Sequence, residues 1–352
     1  MLHTALAVDP TVSITEPVDY SGKKIVTALK NSDVALVCVV TNKVADNQVT
    51  WFYQNKNGSD INIGTHTSSR NPQKYTIITM TPTSWRLTIQ NIQVYDEGPY
   101  ICGVQIQTKI YKKDNRTVIV IEKPKIVDMK TSSDTSVDIG EELILTCGAI
   151  GRPTPRIKWT RLAGADLPDG GKELWANNLR ISQIEPTDRG KYICRASNEA
   201  GEDERIVSVL VRFPPIIDVD QNPVYQAIGY TKALVCIIEA YPEVGPKQVT
   251  WTKMGVPFDM NSGNYEIKHI VGAFNRITSK FVIKRVMSED YGVYICKANN
   301  AKGVREKKIS LEEVSEPTPD STGRINSSSA NLMDVILLLL GIVLYDTLSI
   351  RL

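Results

Sequence analysis

Asp96-Glu97-Gly98-Pro99-Tyr100-Ile101-Cys102 returns twice along the chain, as Asp188-Arg189-Gly190-Lys191-Tyr192-Ile193-Cys194 and as Asp290-Tyr291-Gly292-Val293-Tyr294-Ile295-Cys296. The shared pattern is Asp-x-Gly-x-Tyr-Ile-Cys. Glycine permits a tight turn that a Cβ would resist. Tyrosine brings a large apolar ring whose single hydroxyl needs a partner once buried. Each copy has its own upstream cysteine and tryptophan, so the chain holds three copies of one structural unit. The 6 cysteines are even in number, far apart and free of any Cys-x-x-Cys pair. That spacing argues against zinc and for long-range disulfides made in an oxidising compartment.

The pattern resembles the tyrosine corner and F strand of an immunoglobulin domain, where a tyrosine two residues before the second cysteine bonds back to upstream backbone. The resemblance implies an all-β chain of three tandem immunoglobulin-like sandwiches. It implies bridges Cys38–Cys102, Cys147–Cys194 and Cys236–Cys296, with Trp51, Trp159 and Trp251 as core pins beside them. Each bridge would close a loop of roughly 50–65 residues and stabilise its domain by on the order of 4 kcal/mol.

Working outward, residues 12–122 form the first unit. Val34 to Val40 has the β-branched run of a core strand B. Val49-Thr50-Trp51-Phe52-Tyr53 reads as strand C, Trp85 to Ile89 as strand E with Leu87 and Ile89 inward, and Thr117 to Ile121 as strand G. The cysteine separation of 64 (102 − 38) leaves room for C′ and C″ strands, as in a variable or long intermediate type. Lys123-Pro124-Lys125 is a linker to the second unit, 126–212, whose separation of only 47 (194 − 147) marks a compact type lacking C″. Phe213-Pro214-Pro215 opens the third unit, 213–314, with a separation of 60 (296 − 236). Short, proline-bearing linkers predict an extended, semi-rigid rod.

The ends carry targeting information. Residues 1–11 hold Ala5-Leu6-Ala7, which fits the end of a signal peptide whose start is missing. Residues 315–331 read as a polar stalk. In 332–352, Val335 to Tyr345 is an uncharged apolar run between Asp334 and Asp346, short of the roughly 20 residues a transmembrane helix needs. The small residues before it suit a glycosylphosphatidylinositol signal, with attachment near Ser327 or near Ser321. The expected location is the extracellular face of the cell membrane, held by lipid. Sequons at Asn57 and Asn115 are the glycosylation candidates; a third, at Asn326, is crowded by the anchor.

The net charge of +2, from 41 basic and 39 acidic residues, gives no reason to expect nucleic acid. The 3 histidines are scattered, with His66 and His269 read as surface-loop residues. No nucleophile elbow, zinc-helix motif, P-loop or dinucleotide fingerprint occurs, so neither an enzyme, nor a cofactor, nor a small-molecule substrate is expected. The aspartate of each repeat stands beside a core tyrosine and is a turn residue.

What remains is binding through a surface. With Trp51 inward, strand parity sends Phe52 and Gln54 outward, and with Cys102 inward it sends Gly103 and Gln105 outward. The expected result is a flat, partly apolar sheet face that suits a second sheet. Beside it, Lys109 to Arg116 reads as a long basic loop in which Asn115 begins strand G.

Over 12–314 and into the tail, the chain resembles lachesin and its relatives, the IgLON-type three-domain proteins. The resemblance rests on Gly151-Arg152-Pro153-Thr154-Pro155-Arg156-Ile157-Lys158-Trp159, Leu167-Pro168-Asp169-Gly170-Gly171, Phe213-Pro214-Pro215-Ile216-Ile217 and Glu239-Ala240-Tyr241-Pro242. It implies a glycosylated, lipid-anchored adhesion protein of neurons or epithelial junctions that binds itself or related immunoglobulin proteins through domain one. The alternative is a soluble or shed decoy for a secreted ligand. Pro99 and the basic segment depart from the family pattern and touch the expected binding face.

Overall fold

The computed structural model describes residues 9–17, 22–44, 47–273 and 275–319. Ser321, Ser327, the apolar tail and the Ala5-Leu6-Ala7 segment lie outside these. Among the described residues the elements are β-strands and short 3-10 turns, and no helix is long and apolar enough to cross a membrane. The chain divides into two compact units, one of residues 1–134, 144–180 and 190–208, the other of 135–143, 181–189 and 209–352.

The first unit contains a complete sandwich. Its strands are β1 (Thr11–Glu16), β2 (Ile25–Leu29), β3 (Val34–Thr41), β4 (Val49–Gln54), β5 (Asp60–Thr65), β6 (Ser68–Ser69), β7 (Tyr75–Thr81), β8 (Ser84–Ile89), β9 (Gly98–Gln107) and β10 (Ile110–Ile126). One sheet runs β1-β3-β8-β7; the other runs β10-β9-β4-β5-β6, with β2 parallel to β10. Alternation along β3 and β8 buries Leu36, Cys38, Leu87 and Ile89 against Trp51, Tyr100 and Val118 from the facing sheet. Strands β5 and β6 fill the long cysteine separation, as a variable-type sandwich requires.

The same anatomy recurs in all three copies. The cysteines are joined as Cys38–Cys102, Cys147–Cys194 and Cys236–Cys296. Each core tryptophan is the direct cross-strand partner of the second cysteine: Trp51 of Cys102, Trp159 of Cys194, Trp251 of Cys296. Tyr100 Oη donates to the Asp96 carbonyl at 3.0 Å, and Tyr294 Oη donates to the Asp290 carbonyl at 2.6 Å. The motif aspartates are structural. Each carboxylate accepts the backbone N–H three residues upstream, from Gln93, Glu185 and Met287, at 2.7–2.8 Å. The motif glycines sit at φ between +131° and +143°, a region closed to most side chains.

The variable second residue of the motif has a use that its variability conceals. Glu97 accepts from the Val120 amide at 2.7 Å and from Arg152 Nη2 at 2.6 Å, tying the corner of the first sandwich to the strand Ala149–Arg152 of the second repeat, within the first unit. In the second unit Arg189 donates to Glu239 at 2.8 Å. The residue four beyond the second cysteine adds a clamp. Asn198 Nδ2 donates to the Glu122 and Pro153 carbonyls, both at 2.8 Å, and Asn300 Nδ2 to those of Phe213 and Pro242, both at 2.9 Å. The expected linkers are strand rather than coil. Strand β10 continues through Lys123-Pro124-Lys125 to pair with Ala149–Arg152, and Gly201–Val219 runs through Phe213-Pro214-Pro215. The ladder shifts register between Glu122 and Lys125 and between Phe213 and Ile216, where prolines lack an N–H to donate.

In the second unit, the third sandwich packs Trp251, Phe281 and Tyr294 around Cys236 and Cys296. Its contacts continue past 314 into the expected stalk. Thr318 exchanges backbone hydrogen bonds with the buried Gln226 amide, and Lys232 Nζ donates to Thr318 Oγ1 at 2.9 Å and the Pro319 carbonyl at 3.0 Å.

Candidate functional site

The outer face of the β10-β9-β4-β5 sheet is built by parity. Tyr100, Cys102 and Val104 of β9 enter the core, so Ile101, Gly103 and Gln105 face away from it. The ladders then set one row across four strands: Asn115 of β10 opposite Ile101 of β9, Ile101 opposite Phe52 of β4, and Phe52 opposite Asn62 of β5. The neighbouring row holds Lys113, Gly103 and Thr50.

Phe52 points away from the core, yet the open aromatic expected from the sequence is not there. Its exposure is 8%. Tyr111 meets it edge-on with ring centres 5.2 Å apart, and Lys113 Nζ lies 5.4 Å over the ring. Gly103, also expected to face out openly, is buried for the same reason. A Cβ there would stand 3.3 Å from Phe52 Cε2, 3.3 Å from Tyr111 Cδ1 and 3.4 Å from Lys113 Cγ. The bare glycine is therefore the space into which the Phe52–Tyr111 pair fits. Gln54 and Gln105 are half-buried: Gln54 Nε2 donates to Asp60 at 3.1 Å, and the Gln105 carbonyl accepts from Asn47 at 2.8 Å. Lys113 Nζ closes the network with Asp60 Oδ2 at 2.6 Å. The face is a capped aromatic row edged by a polar triad of Gln54, Asp60 and Lys113.

The basic segment is a second correction. Lys109 to Arg116 is not a loop: beyond the tight turn at Thr108-Lys109, Ile110–Ile126 is one strand on the β9 ladder. Its charges suggested a solvated loop, but its three basic residues on the strand each find a carboxylate, Lys112 with Asp9 at 2.7 Å, Lys113 with Asp60, and Arg116 with Asp114 at 3.3 Å, while Lys109 is exposed in the turn. Asp114 also accepts from the Ile14 amide at 2.7 Å and Lys24 Nζ at 2.6 Å, pinning β1 to β10. Burial by itself would raise its carboxyl; the Lys24 contact and the amides of Ile14 and Asn115 outweigh that and hold it below the usual carboxylate value. Asn115 is thus a mid-strand residue, exposed on the outer face, while Asn57 lies in the exposed turn between β4 and β5.

Pro99 stands second in β9, opposite Thr117, whose amide donates instead to the Lys24 carbonyl at 2.8 Å. His66 is a half-buried turn residue. His269 is on the strand Tyr265–Val271, half-buried, rather than in a loop. Burial lowers the pKa of both. Among the described residues no group of three or more His, Cys, Asp or Glu could hold a metal ion. The residues missed by sequence reasoning are Tyr111, Lys113, Ile101 and Asp60. Placing Ile110 to Arg116 on a strand would have revealed the first two by alternation.

Serial disulfide-pinned sandwiches with one aromatic outer face define an immunoglobulin-domain protein. The chain matches the immunoglobulin V-set domain over residues 22–121, the immunoglobulin I-set domain over 125–211 and a further immunoglobulin domain over 214–300. It is 36% identical to protein amalgam of Drosophila melanogaster over 66% of this chain and 68% of that one. It is 33% identical to lachesin of Schistocerca americana over 70% of each, and 29% identical to the limbic system-associated membrane protein of Gallus gallus over 94% of this chain and 90% of that one. The chain belongs to this lachesin and IgLON family of three-immunoglobulin-domain proteins, which are not enzymes. Among solved structures it is similar to one chain of a complex of Dpr2 Ig1-Ig2 with DIP-Theta Ig1-Ig3, with a TM-score of 0.63 and 25% identity over 86% of this chain and 100% of that one.

Proposed function

We propose that this protein is a lipid-anchored adhesion protein on the extracellular face of the cell membrane. Its first domain docks through the outer face of the β10-β9-β4-β5 sheet onto the same domain of a second copy or of a related chain. The observation that carries this reading is the capped aromatic row of Phe52, Gly103, Tyr111 and Lys113. A flat sheet face with aromatic anchors and few charges loses little when a second sheet displaces its water. A relative of known structure was solved as a complex between two immunoglobulin-domain proteins, which supports a partner of the same class. The uncharged run from Val335 to Tyr345, preceded by small residues around Ser321 and Ser327, supports the lipid anchor.

Tyr111→Arg tests the docking face, because it alters the surface of the row and leaves the core beneath intact. Cells displaying the full chain should aggregate, and the variant should abolish aggregation at equal surface level. Unchanged aggregation would remove the first-domain face from the account. Phosphatidylinositol-specific phospholipase should release the protein from intact cells; protein found in the medium without treatment would favour a shed decoy.

A further inference from the structure

The docking face holds a modification site in its central row. Asn115, first residue of the sequon Asn115-Arg116-Thr117, is exposed and lies directly opposite Ile101, which lies opposite Phe52. Two strand spacings separate Asn115 from Phe52, about 10 Å. Asn115 also lines one shallow surface pit with Gln54, Asp60, Ile101 and Lys113, the polar edge of the same face. Two sheets that pack face to face stand only about 10 Å apart. A branched, hydrated glycan on Asn115 has no room between them.

We infer that an N-glycan on Asn115 is a steric gate on the first domain: chains carrying it cannot dock through this face, and chains without it can. The inference rests on the docking face proposed above and adds its regulation. In the transfer, Asn115 Nδ2 displaces a diphosphate-linked lipid from C1 of its oligosaccharide. A C–N bond forms, the C–O bond to the diphosphate breaks, and the amide loses one proton. The other first-domain sequon provides the contrast. Asn57 sits in the hairpin turn beyond the ends of β4 and β5, where its amide bonds to Asn55 Oδ1 at 3.0 Å, so a glycan there projects from the sheet's end and not from its face.

The test uses the full chain on cells. Thr117→Val removes the Asn115 sequon while keeping a β-branched residue in β10 and Asn115 itself in place. Thr117→Ser keeps the sequon, and Ser59→Ala removes the Asn57 sequon. Glycopeptide mass spectrometry should find Asn115 occupied on most parent chains, the bare remainder accounting for the parent's aggregation, and bare throughout in Thr117→Val. At equal surface level, Thr117→Val cells should aggregate at least tenfold faster than the parent, with Thr117→Ser and Ser59→Ala unchanged. Adding Tyr111→Arg to Thr117→Val should abolish the gain. Asn115 bare in the parent, or equal rates for parent and Thr117→Val, overturns the gate; if Tyr111→Arg still abolishes aggregation in that case, the docking face stands without it. A Thr117→Val gain that survives Tyr111→Arg overturns both the gate at this face and the face itself. No aggregation by any form overturns the gate and the adhesive reading together.

Discussion

The first and second immunoglobulin repeats present the same sheet with opposite chemistry. The residue after the strand-C tryptophan is Phe52 in the first and Thr160 in the second; the residue after the second cysteine is Gly103 in the first and Arg195 in the second. In the first repeat these positions interlock with Tyr111 into a closed aromatic row. In the second, Arg195 pairs with Glu204 at 3.0 Å and Lys158 with Glu173 at 2.9 Å, while Trp175, 46% exposed, lies under Arg156 and Lys158. A partner sheet on the second face would strip water from several charges at once, a cost that only fresh pairing could offset. On the first face it meets Tyr111 and backbone, with Lys113 and Asp60 already paired to each other at the edge. Two sandwiches of one fold thus differ in what they can touch because of the residues that parity sets on the outer face.

The largest way to break this contrast is to remove its centre. Phe52→Ala should destabilise the first domain by about 3 kcal/mol, since a nearly buried ring leaves a cavity, whereas Thr160→Ala should change the second by about 0.5 kcal/mol or less. Denaturant unfolding followed domain by domain checks both. Gly103→Val comes next. Its added atoms must move Phe52, Tyr111 or Lys113, and overpacking of this kind costs about 1–3 kcal/mol. Arg195→Val removes only exposed ion pairs and should cost about 1 kcal/mol or less. If thermal melts show equal shifts for the two valine variants, the first face is no more closely packed than the second. Lys113→Gln should cost about 0.5–1 kcal/mol through the lost cation–π contact, and high salt should shrink the gap between parent and variant as it screens the Lys113–Asp60 pair.

The smallest effect is pH-linked. Asp114 is held below the ordinary carboxylate value of 3.8 in the folded state. Its contribution is therefore fully present above that value and is lost as pH falls through the lower folded one. Asp114→Asn should flatten this part of the stability profile in melts between about pH 5 and pH 2, and a profile of unchanged slope would deny Asp114 its role in holding β1 to β10.

Much of this molecule was legible in order. Cys38, Trp51 and Tyr100 declare the first sandwich because a disulfide, a pinned indole and a buried phenol each demand a fixed neighbour. Parity from Trp51 and Cys102 correctly sends Phe52 and Gly103 away from the core. Their burial was not legible, because it depends on Tyr111 and Lys113 arriving from a neighbouring strand, about 60 residues from Phe52 and across the β9–β10 turn from Gly103. That strand was itself obscured, since Lys112, Lys113 and Arg116 read as solvent-seeking until their carboxylates are located. Glu97 and Arg189 were hidden for a related reason: they vary between copies, and their partners Arg152 and Glu239 belong to other segments.

The Asp-x-Gly-x-Tyr-Ile-Cys repeat by itself determined three sandwiches, since glycine at positive φ, a tyrosine that must bond backbone and a cysteine that must pair leave little freedom in local geometry. The tertiary structure decided what the repeat's surroundings do. Only the folded ladders place Asn115 in one row with Phe52 and make Gly103 the slot for an aromatic pair. Only they turn the unconserved second residue of the motif into a joint. Such contacts span long stretches of sequence, and their registers are fixed by packing that no local pattern encodes.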